Sequence, residues 1–532
     1  MKNSFFLVIP EQKHDPQLAK TFAEPALRQW VSELPTANPG LATRLFQDLV
    51  NDLISLEMSN ANRLNALELL RQQFLIIEDY LRSRLIKSGF PKGEIEKKIF
   101  SLVVIIEKQF TIGYWMVARG LTRREIGWLQ GKNTALSIQR CIKGLSNIVI
   151  THYMMSSPIP DWIWFDLHSL YKLAVKLGKE DVRVSDPSGI FSKAASIEES
   201  YKQILLLSLA YPSGLMQKEF QQVYGFIEKI SELVEIENKP VADQEVQCVI
   251  LMDEDLPPSF ALSSNTEQDK RTESAKLYLN LTKLHRLTKQ AEKYCSKDEA
   301  RFSSLEARRG DNQKLSAELF DYLMQRWQGK EPQGTALFAD RLSRYLAIGL
   351  DATHELLDPN PSSALAGDLE MLTDTYSDRA LFCDFEHEGV LSIGSLVSFR
   401  KTDALPHQRS LGVVCKIQFT KQDNKLIVEV TVIAPQAYAV TYQELNAAPE
   451  SEPRKALLYG VKDDKQERSY IILESFMLKD GDVLRMFMGQ DNFPIILNGR
   501  KNIGLGYWQF ECRRIMEKTI QQQETKKGYD FI

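Results

Sequence analysis

The sequence predicts a multidomain α plus β protein: an N-terminal all-α, solenoid-like helical region, then a small C-terminal β-barrel. Three observations predict it. The chain has 532 residues, too many for one ordinary core and suggestive of roughly three domains. Near Leu372 the rhythm of apolar residues changes, from helical spacing to short β-rich runs broken by turns. The composition, 43% hydrophobic and 26% charged, is that of a globular chain with material for sizeable cores.

Residues 1–38 read as a short extended lead-in, because Pro10, Pro16, Pro25 and Pro35, with Pro39 just beyond, discourage long helices. Leu45, Leu49, Leu53 and Leu56 then recur at intervals of 4, 4 and 3, which is one face of a helix. Arg63 to Phe74 and Ile95 to Trp115 continue in this style. Helical spacing runs to about Ile236, with turns at Ser157-Pro158-Ile159-Pro160 and Tyr211-Pro212-Ser213-Gly214. Trp164, Leu167 and Tyr171 resemble the start of a tetratricopeptide-type helix, with His168 where that motif prefers glycine. The helical domain is placed at 1–240.

A strand or linker segment follows at 241–275. Val246 to Met252 is a β-rich run that ends in Asp253-Glu254-Asp255, and that triplet reads as a solvated turn. It lacks the loop glycine and the downstream glutamate of a calcium loop. The polar stretch 259–275 reads as linker. Helices are expected to resume over 276–370, with Leu319, Leu323 and Trp327 on one and Leu337 to Leu357 on the last. The barrel is placed at 371–518. Its expected strands include 394–400, Leu411 to Phe419, Leu426 to Ala434, Ala456 to Val461, Tyr470 to Leu473, Val483 to Met488 and Ile495 to Leu497, with turns at Gln422-Asp423-Asn424, Asp480-Gly481-Asp482 and Asn498-Gly499. Residues 519–532 form a polar tail.

Several function classes are disfavoured. Net charge is −4 with both signs mixed, so there is no basic stripe for nucleic acid. The six cysteines are scattered, with no pair at zinc spacing, as in a reduced, cytoplasmic protein with no metal. The apolar run Phe5 to Pro10 is too short for a signal-peptide core. The longest apolar stretch, Leu102 to Ile106, is cut by Glu107 and Lys108, short of the ~20 residues of a membrane helix. Gly127 to Lys132 imitates a phosphate loop but has three residues between its glycines and Asn133 after the lysine. Leu121 to Glu125 resembles the opening of a LuxR-type helix-turn-helix, yet the following Leu136 to Ile150 is core-like rather than a polar recognition helix. The seven histidines accompany no nucleophile motif, and no enzyme is expected.

The chemistry concentrates around Asp384-Phe385-Glu386-His387-Glu388-Gly389. It resembles the D-x-S-x-x-G signature of PilZ-type cyclic-dinucleotide-binding barrels, with Glu386 in place of serine. Such barrels pair this motif with an R-x-x-x-R clamp, because guanidinium forks bond phosphates and guanine edges and stack on purines. Here Arg341 and Arg344 form R-x-x-R within an expected helix, Arg379 stands alone, and Arg400 and Arg409 are further candidates. The alternative is that these arginines pair with surface acids, which contributes little per pair.

Order along the chain adds a wider resemblance. Its carriers are Arg63-Leu64 with Leu67-Glu68, Gly113-Tyr114, Pro160 with Trp164-Phe165-Asp166-Leu167-His168 and Tyr171, Trp327 with Arg341 and Arg344, Ile348-Gly349-Leu350 with His354, Gly394 with Leu396-Val397, and Leu411-Gly412-Val413-Val414. Together they resemble the FimW-like bacterial family, a helical region followed by a degenerate PilZ-type barrel. The resemblance implies a cytoplasmic, non-enzymatic cyclic di-GMP effector linked to surface attachment and type IV pili. It implies a dinucleotide site drawn from Arg341, Arg344, Arg379, Asp384, Glu386, Gly389, Arg400 and Arg409, and a protein partner on the helical region, without further cofactor, nucleic acid or membrane span. A ligand-independent scaffold is the competing expectation.

Overall fold

In a computed structural model, the described residues are 5–123, 131–186, 194–242, 244–262, 275–296, 301, 314–358, 367–420, 425–445, 452–463, 466–475 and 477–516. The phosphate-loop imitation over 127–130, the turn 422–424 and the tail 519–532 lie outside them, as does most of the expected linker, 263–274.

The helical half contains α1 (Pro16–Thr21), α2 (Glu24–Glu33), α3 (Pro39–Ser55), α4 (Asn60–Leu85), α5 (Glu94–Thr122), α6 (Gly131–Met154), α7 (Ile163–Lys176), α8 (Ile197–Leu209) and α9 (Glu219–Ile230). Local chemistry fixes the starts. Asn38 caps α3 with Pro39 at its first position, Ser59 caps α4, and Ser196 with Glu199 forms a capping box on α8. The face of α3 that reaches the core is Phe46, Leu49, Val50 and Leu53, while Leu45, expected in the stripe, is 37% exposed. Phe74 of α4 stacks on Phe110 of α5 at 4.4 Å, with Phe46 beside both. Helices α5 and α6 approach closely at Gly144, where a Cβ would stand 2.1 Å from Thr111 Oγ1. Helix α5 is long and apolar enough to cross a membrane, unlike anything expected from the sequence, but 56% of that window is buried inside the fold, as in a core helix.

Buried charged groups tie the helices of this half together. Arg82 of α4 donates to Glu107 Oε1 at 2.9 Å, to the Asn147 carbonyl at 2.7 Å and to Thr151 Oγ1 at 3.0 Å, so it ties α4 to α5 and α6. Burial pushes the Glu107 carboxyl above the usual range, with Arg82 opposing and Glu78 adding to the rise. Trp164, Leu167 and Tyr171 are all buried on α7. His168 is a satisfied core histidine, its Nδ1 with the Tyr201 hydroxyl and its Nε2 with the Leu256 carbonyl, and burial pulls its pKa down to about 4. The acid triplet lies in a turn with Asp253 exposed, as expected, but two of its acids are engaged. Asp255 accepts from the Phe165 and Trp162 N–H groups at the start of α7, and Asp253 pairs with Lys172 at 2.7 Å.

The stretch expected to be helical after residue 275 is mostly otherwise. Lys276–Asn280 is a strand, β4, in a sheet with β1 (Glu235–Glu237), β2 (Val246–Leu251) and β3 (Ser259–Leu262), in the order β1-β4-β2-β3. Cys295–Ser296 (β5) pairs in parallel with Leu315–Ser316 (β6), after which Ala317–Arg326 is a helix capped by Ser316. Arg344–Ile348, expected inside a helix, is strand β7, and of the expected helix Leu337 to Leu357 the part Leu350–Leu357 is helical.

The single expected barrel is two. The first closes from β7, β8 (Met371–Thr375), β9 (Ala380–Cys383), β10 (Leu396–Lys401), β11 (Ser410–Phe419) and β12 (Leu426–Ala434), in the order β10-β11-β12-β9-β8-β7. The second closes from β13 (Tyr438–Glu444), β14 (Arg454–Asp463), β15 (Gln466–Leu473), β16 (Val483–Met488), β17 (Asp491–Gly504) and β18 (Tyr507–Arg514), in the order β13-β14-β15-β18-β17-β16. Both are wired alike: two three-stranded meanders joined first strand to first and last to last. The likeness reaches one turn. Gly394 and Gly481, each two residues before its barrel's fourth strand, have positive φ and donate to Val414 and Leu497 carbonyls of the next strand. Leu350 and Leu357 of the intervening helix pack with Leu396, Leu411, Leu457 and Ile472 into a core between the barrels.

Candidate functional site

In β10, Val397 and Phe399 point into the first barrel's core, so alternation sends Ser398 and Arg400 outward. Ser398 is nevertheless fully buried beneath the helix Leu350–Leu357, where Thr353 Oγ1 donates to its hydroxyl at 3.0 Å. Arg409, just before β11, donates from Nε to the same hydroxyl at 2.9 Å. Arg400 lies over the ring of Tyr345, its partner in the β7–β10 ladder, at 4.2 Å. Both guanidiniums converge on one carboxylate, Glu370, at the start of β8. Arg400 bonds both of its oxygens through Nε and Nη2, and Arg409 Nη1 bonds Oε2. The side chains of Arg409, Glu370 and Arg400 are 0%, 5% and 9% exposed. Burial alone would push the Glu370 carboxyl up, but the two arginines outweigh it and hold it below the usual range. Burial pulls Arg409 below the usual arginine value, only partly offset by Glu370.

Arg344 lies at the same end. It is a buried strand residue rather than a helical one, and its Nη2 donates to both Asp340 oxygens at 2.8 and 2.7 Å. Asp340 also faces Lys401 at 3.5 Å. Arg341 is exposed, in a turn with φ +56°, and not in a helix. Arg379 donates to the Gly334 carbonyl at 2.8 Å and lies 3.7 Å from Asp378.

Asp384, Glu386 and Gly389 are elsewhere. Cys383 pairs with Leu426, and Leu426 with Phe419, at the far end of β11 from Arg409 and Ser410. A ten-residue strand separates the two groups by roughly 30 Å. The structure therefore brings Arg344, Arg400 and Arg409 to one end and leaves the Asp384–Gly389 frame at the other. There the frame serves as a joint. Gly389 has φ +74° and donates to the Pro91 carbonyl at 2.9 Å, while Phe90 and Leu391 exchange backbone bonds of 2.6 and 2.9 Å. Phe90 and Met216, both from the helical half, complete the first barrel's core. A Cβ on Gly89 would stand 2.5 Å from the Leu391 carbonyl oxygen and 2.8 Å from that of Gly389. Lys92 secures the loop by donating to the Leu85 and Ser88 carbonyls, and burial pulls its pKa down to about 8. Asp384 and Glu386 are exposed, Asp384 with Lys425 at 3.9 Å, and Phe385 packs on the barrel core.

Sequence reasoning missed Glu370, Ser398 and Tyr345. A lone acid before a short strand carries no motif, and only barrel closure brings it to Arg400. Among the described residues no cluster of His, Cys, Asp or Glu could hold a metal ion. A cleft of about 260 Å³ lined by Cys248, Phe260, Leu279, His285 and Trp327 lies beside the small sheet, and none of the sequence-predicted site residues lines it.

Residues 25–242 match the sequence model of a family described as the N-terminal domain of the cyclic-di-GMP receptor FimW. The helical half of this chain is FimW-like. The protein named cyclic-di-GMP receptor FimW in Pseudomonas aeruginosa is 27% identical over 213 residues, which are 40% of this chain and 35% of that protein. The matched stretch thus spans about a third of that relative's length. No solved structure matches the chain. The FimW-like region includes the resemblance-carrying residues from Arg63 to Tyr171 and ends ahead of both barrels.

Proposed function

We propose that this chain is a non-enzymatic cyclic di-GMP effector. The observation that carries it is the FimW-like helical half, whose relative is named as a receptor for that dinucleotide, joined through Phe90 to a barrel that concentrates arginines at one end. On this reading the first barrel is PilZ-like and takes the dinucleotide on its arginine-bearing end, with Arg344, Arg400 and Arg409 as ligand residues and Arg341 and Arg379 at its margin. Gly389 acts at the joint instead, and Asp384 and Glu386 lie exposed beside it. The stacked helices, TPR-like around Trp164 and Tyr171, present the surface for a protein partner. A cytoplasmic place and a link to surface attachment or type IV pili complete the reading.

A ligand-independent scaffold is the second reading. It is favoured by Arg344, Arg400 and Arg409 each having an internal carboxylate, and by Phe385 filling the space beside Asp384. Titration calorimetry of the full chain separates the two. Cyclic di-GMP is expected to bind with micromolar or tighter affinity, while GTP and cyclic di-AMP give no comparable heat. No heat and no thermal shift at high cyclic di-GMP concentration would sink the effector reading in favour of the scaffold.

A further inference from the structure

We propose that Glu370 is an internal substitute for a phosphate group, which keeps the Arg400–Arg409 anion site closed until a phosphodiester ligand displaces it. That the ligand is a cyclic dinucleotide rests on the effector reading above; the anion site itself does not.

The geometry is that of an occupied anion site. Arg400 meets Glu370 fork to fork through Nε and Nη2, and Arg409 caps the second oxygen. A phosphodiester offers the same pair of anionic oxygens to the same fork. Tyr345 covers one face of the Arg400 guanidinium, and Ser398 fixes Arg409 through its Nε. Both donors are therefore held in place independently of the carboxylate, so a replacement anion meets a formed site.

The charge count points the same way. Two buried guanidiniums face a single carboxylate, which leaves one positive charge in surroundings that solvate it poorly. Asp340, another acid at this end, is committed to Arg344 and Lys401. A ligand with two phosphodiesters brings two negative charges to the two arginines. Glu370 is also attached by a short ladder: β8 has three pairs with β7 and two with β9, against eight between β11 and β12. Among these ladders, β8 is the element that yields at least cost.

Full-length E370A and E370Q test this, with melting followed in inorganic phosphate against chloride at matched ionic strength and cyclic di-GMP binding by calorimetry. E370A is expected to melt below wild type and to recover in millimolar phosphate, while wild type is indifferent and E370A/R409M does not recover. E370Q keeps the shape and loses the charge, so it is expected to bind cyclic di-GMP at least about tenfold more tightly than wild type, since a closed state favoured ten to one lowers apparent affinity by that factor. Phosphate rescue without cyclic di-GMP binding by any variant supports the anion site and removes the effector reading. No phosphate rescue of E370A, together with wild-type cyclic di-GMP affinity or no binding in E370Q, overturns the inference and leaves Glu370 a structural ion pair.

Discussion

Replacing Gly89 by valine is expected to break the joint between the helical half and the first barrel. The new Cβ would meet two backbone oxygens, those of Leu391 and Gly389, at 2.5 and 2.8 Å. Neither can rotate away, as the end of a flexible side chain could. Separation of the strands also forfeits the Phe90–Leu391 exchange and draws Phe90 out of the barrel core, where its ring meets Phe419 edge-on at 5.8 Å. Overpacking of about 1–3 kcal/mol and two lost backbone bonds of about 1 kcal/mol each set the scale. The remaining interface, including the Phe419 N–H to the Ser156 carbonyl, does not compensate at this point. The expected readout is a split thermal transition and protease cleavage near residues 88–91 in G89V. One cooperative melt at the wild-type temperature would show that Gly89 is not needed for closeness.

Arg82→Met is expected to be the most damaging single change in the helical half, and its damage to depend on pH. It removes the cation between Glu107 and Glu78 and leaves Glu107 buried with the Thr151 hydroxyl. Removal of one partner of a buried pair costs about 3–5 kcal/mol. The sign with pH follows from Glu107. Its pKa in the fold is raised above the ordinary 4.5, so the fold holds a proton that the unfolded chain releases. That contribution is complete below 4.5 and is lost as pH rises through the raised value. With Arg82 gone the pKa rises further, so denaturant melts of R82M should show the fall in stability continuing to higher pH than in wild type, where it levels off near pH 8. E107Q carries no titrating group there and should flatten the slope. A wild-type profile unchanged by E107Q would rule out Glu107 as its source.

The helical half was legible because its signal is long. A stripe such as Leu49 and Leu53 repeats through α3, and every repeat strengthens the same reading. Five residues do not repeat. Lys276–Asn280 and Arg344–Ile348 each carry a few apolar side chains between charged neighbours, which suits a helix turn as well as a strand, and only pairing partners decide. The division into two barrels was hidden for a related reason. β12 ends at Ala434 and β13 begins at Tyr438, a gap no longer than an ordinary hairpin turn. At the site, the arginines were visible as residue types, but their end of the barrel was not. Strand register placed Arg409 and Asp384 at opposite ends, and register is a property of the sheet rather than of a motif. Glu370 meets Arg400 and Arg409 from 30 and 39 positions away, beyond the reach of any local pattern.

The shared wiring of the two barrels makes the order of synthesis matter. A chain that carries the same strand order twice offers each strand two acceptors, and exchange between neighbouring copies is a characteristic failure of tandem folds. Here every strand of the first barrel precedes every strand of the second. A nascent chain emerging from the ribosome can close β7 onto β10 before β13 exists to compete. A chain refolding from denaturant has no such protection, so its yield against that of translation measures how far this protein relies on being made from one end.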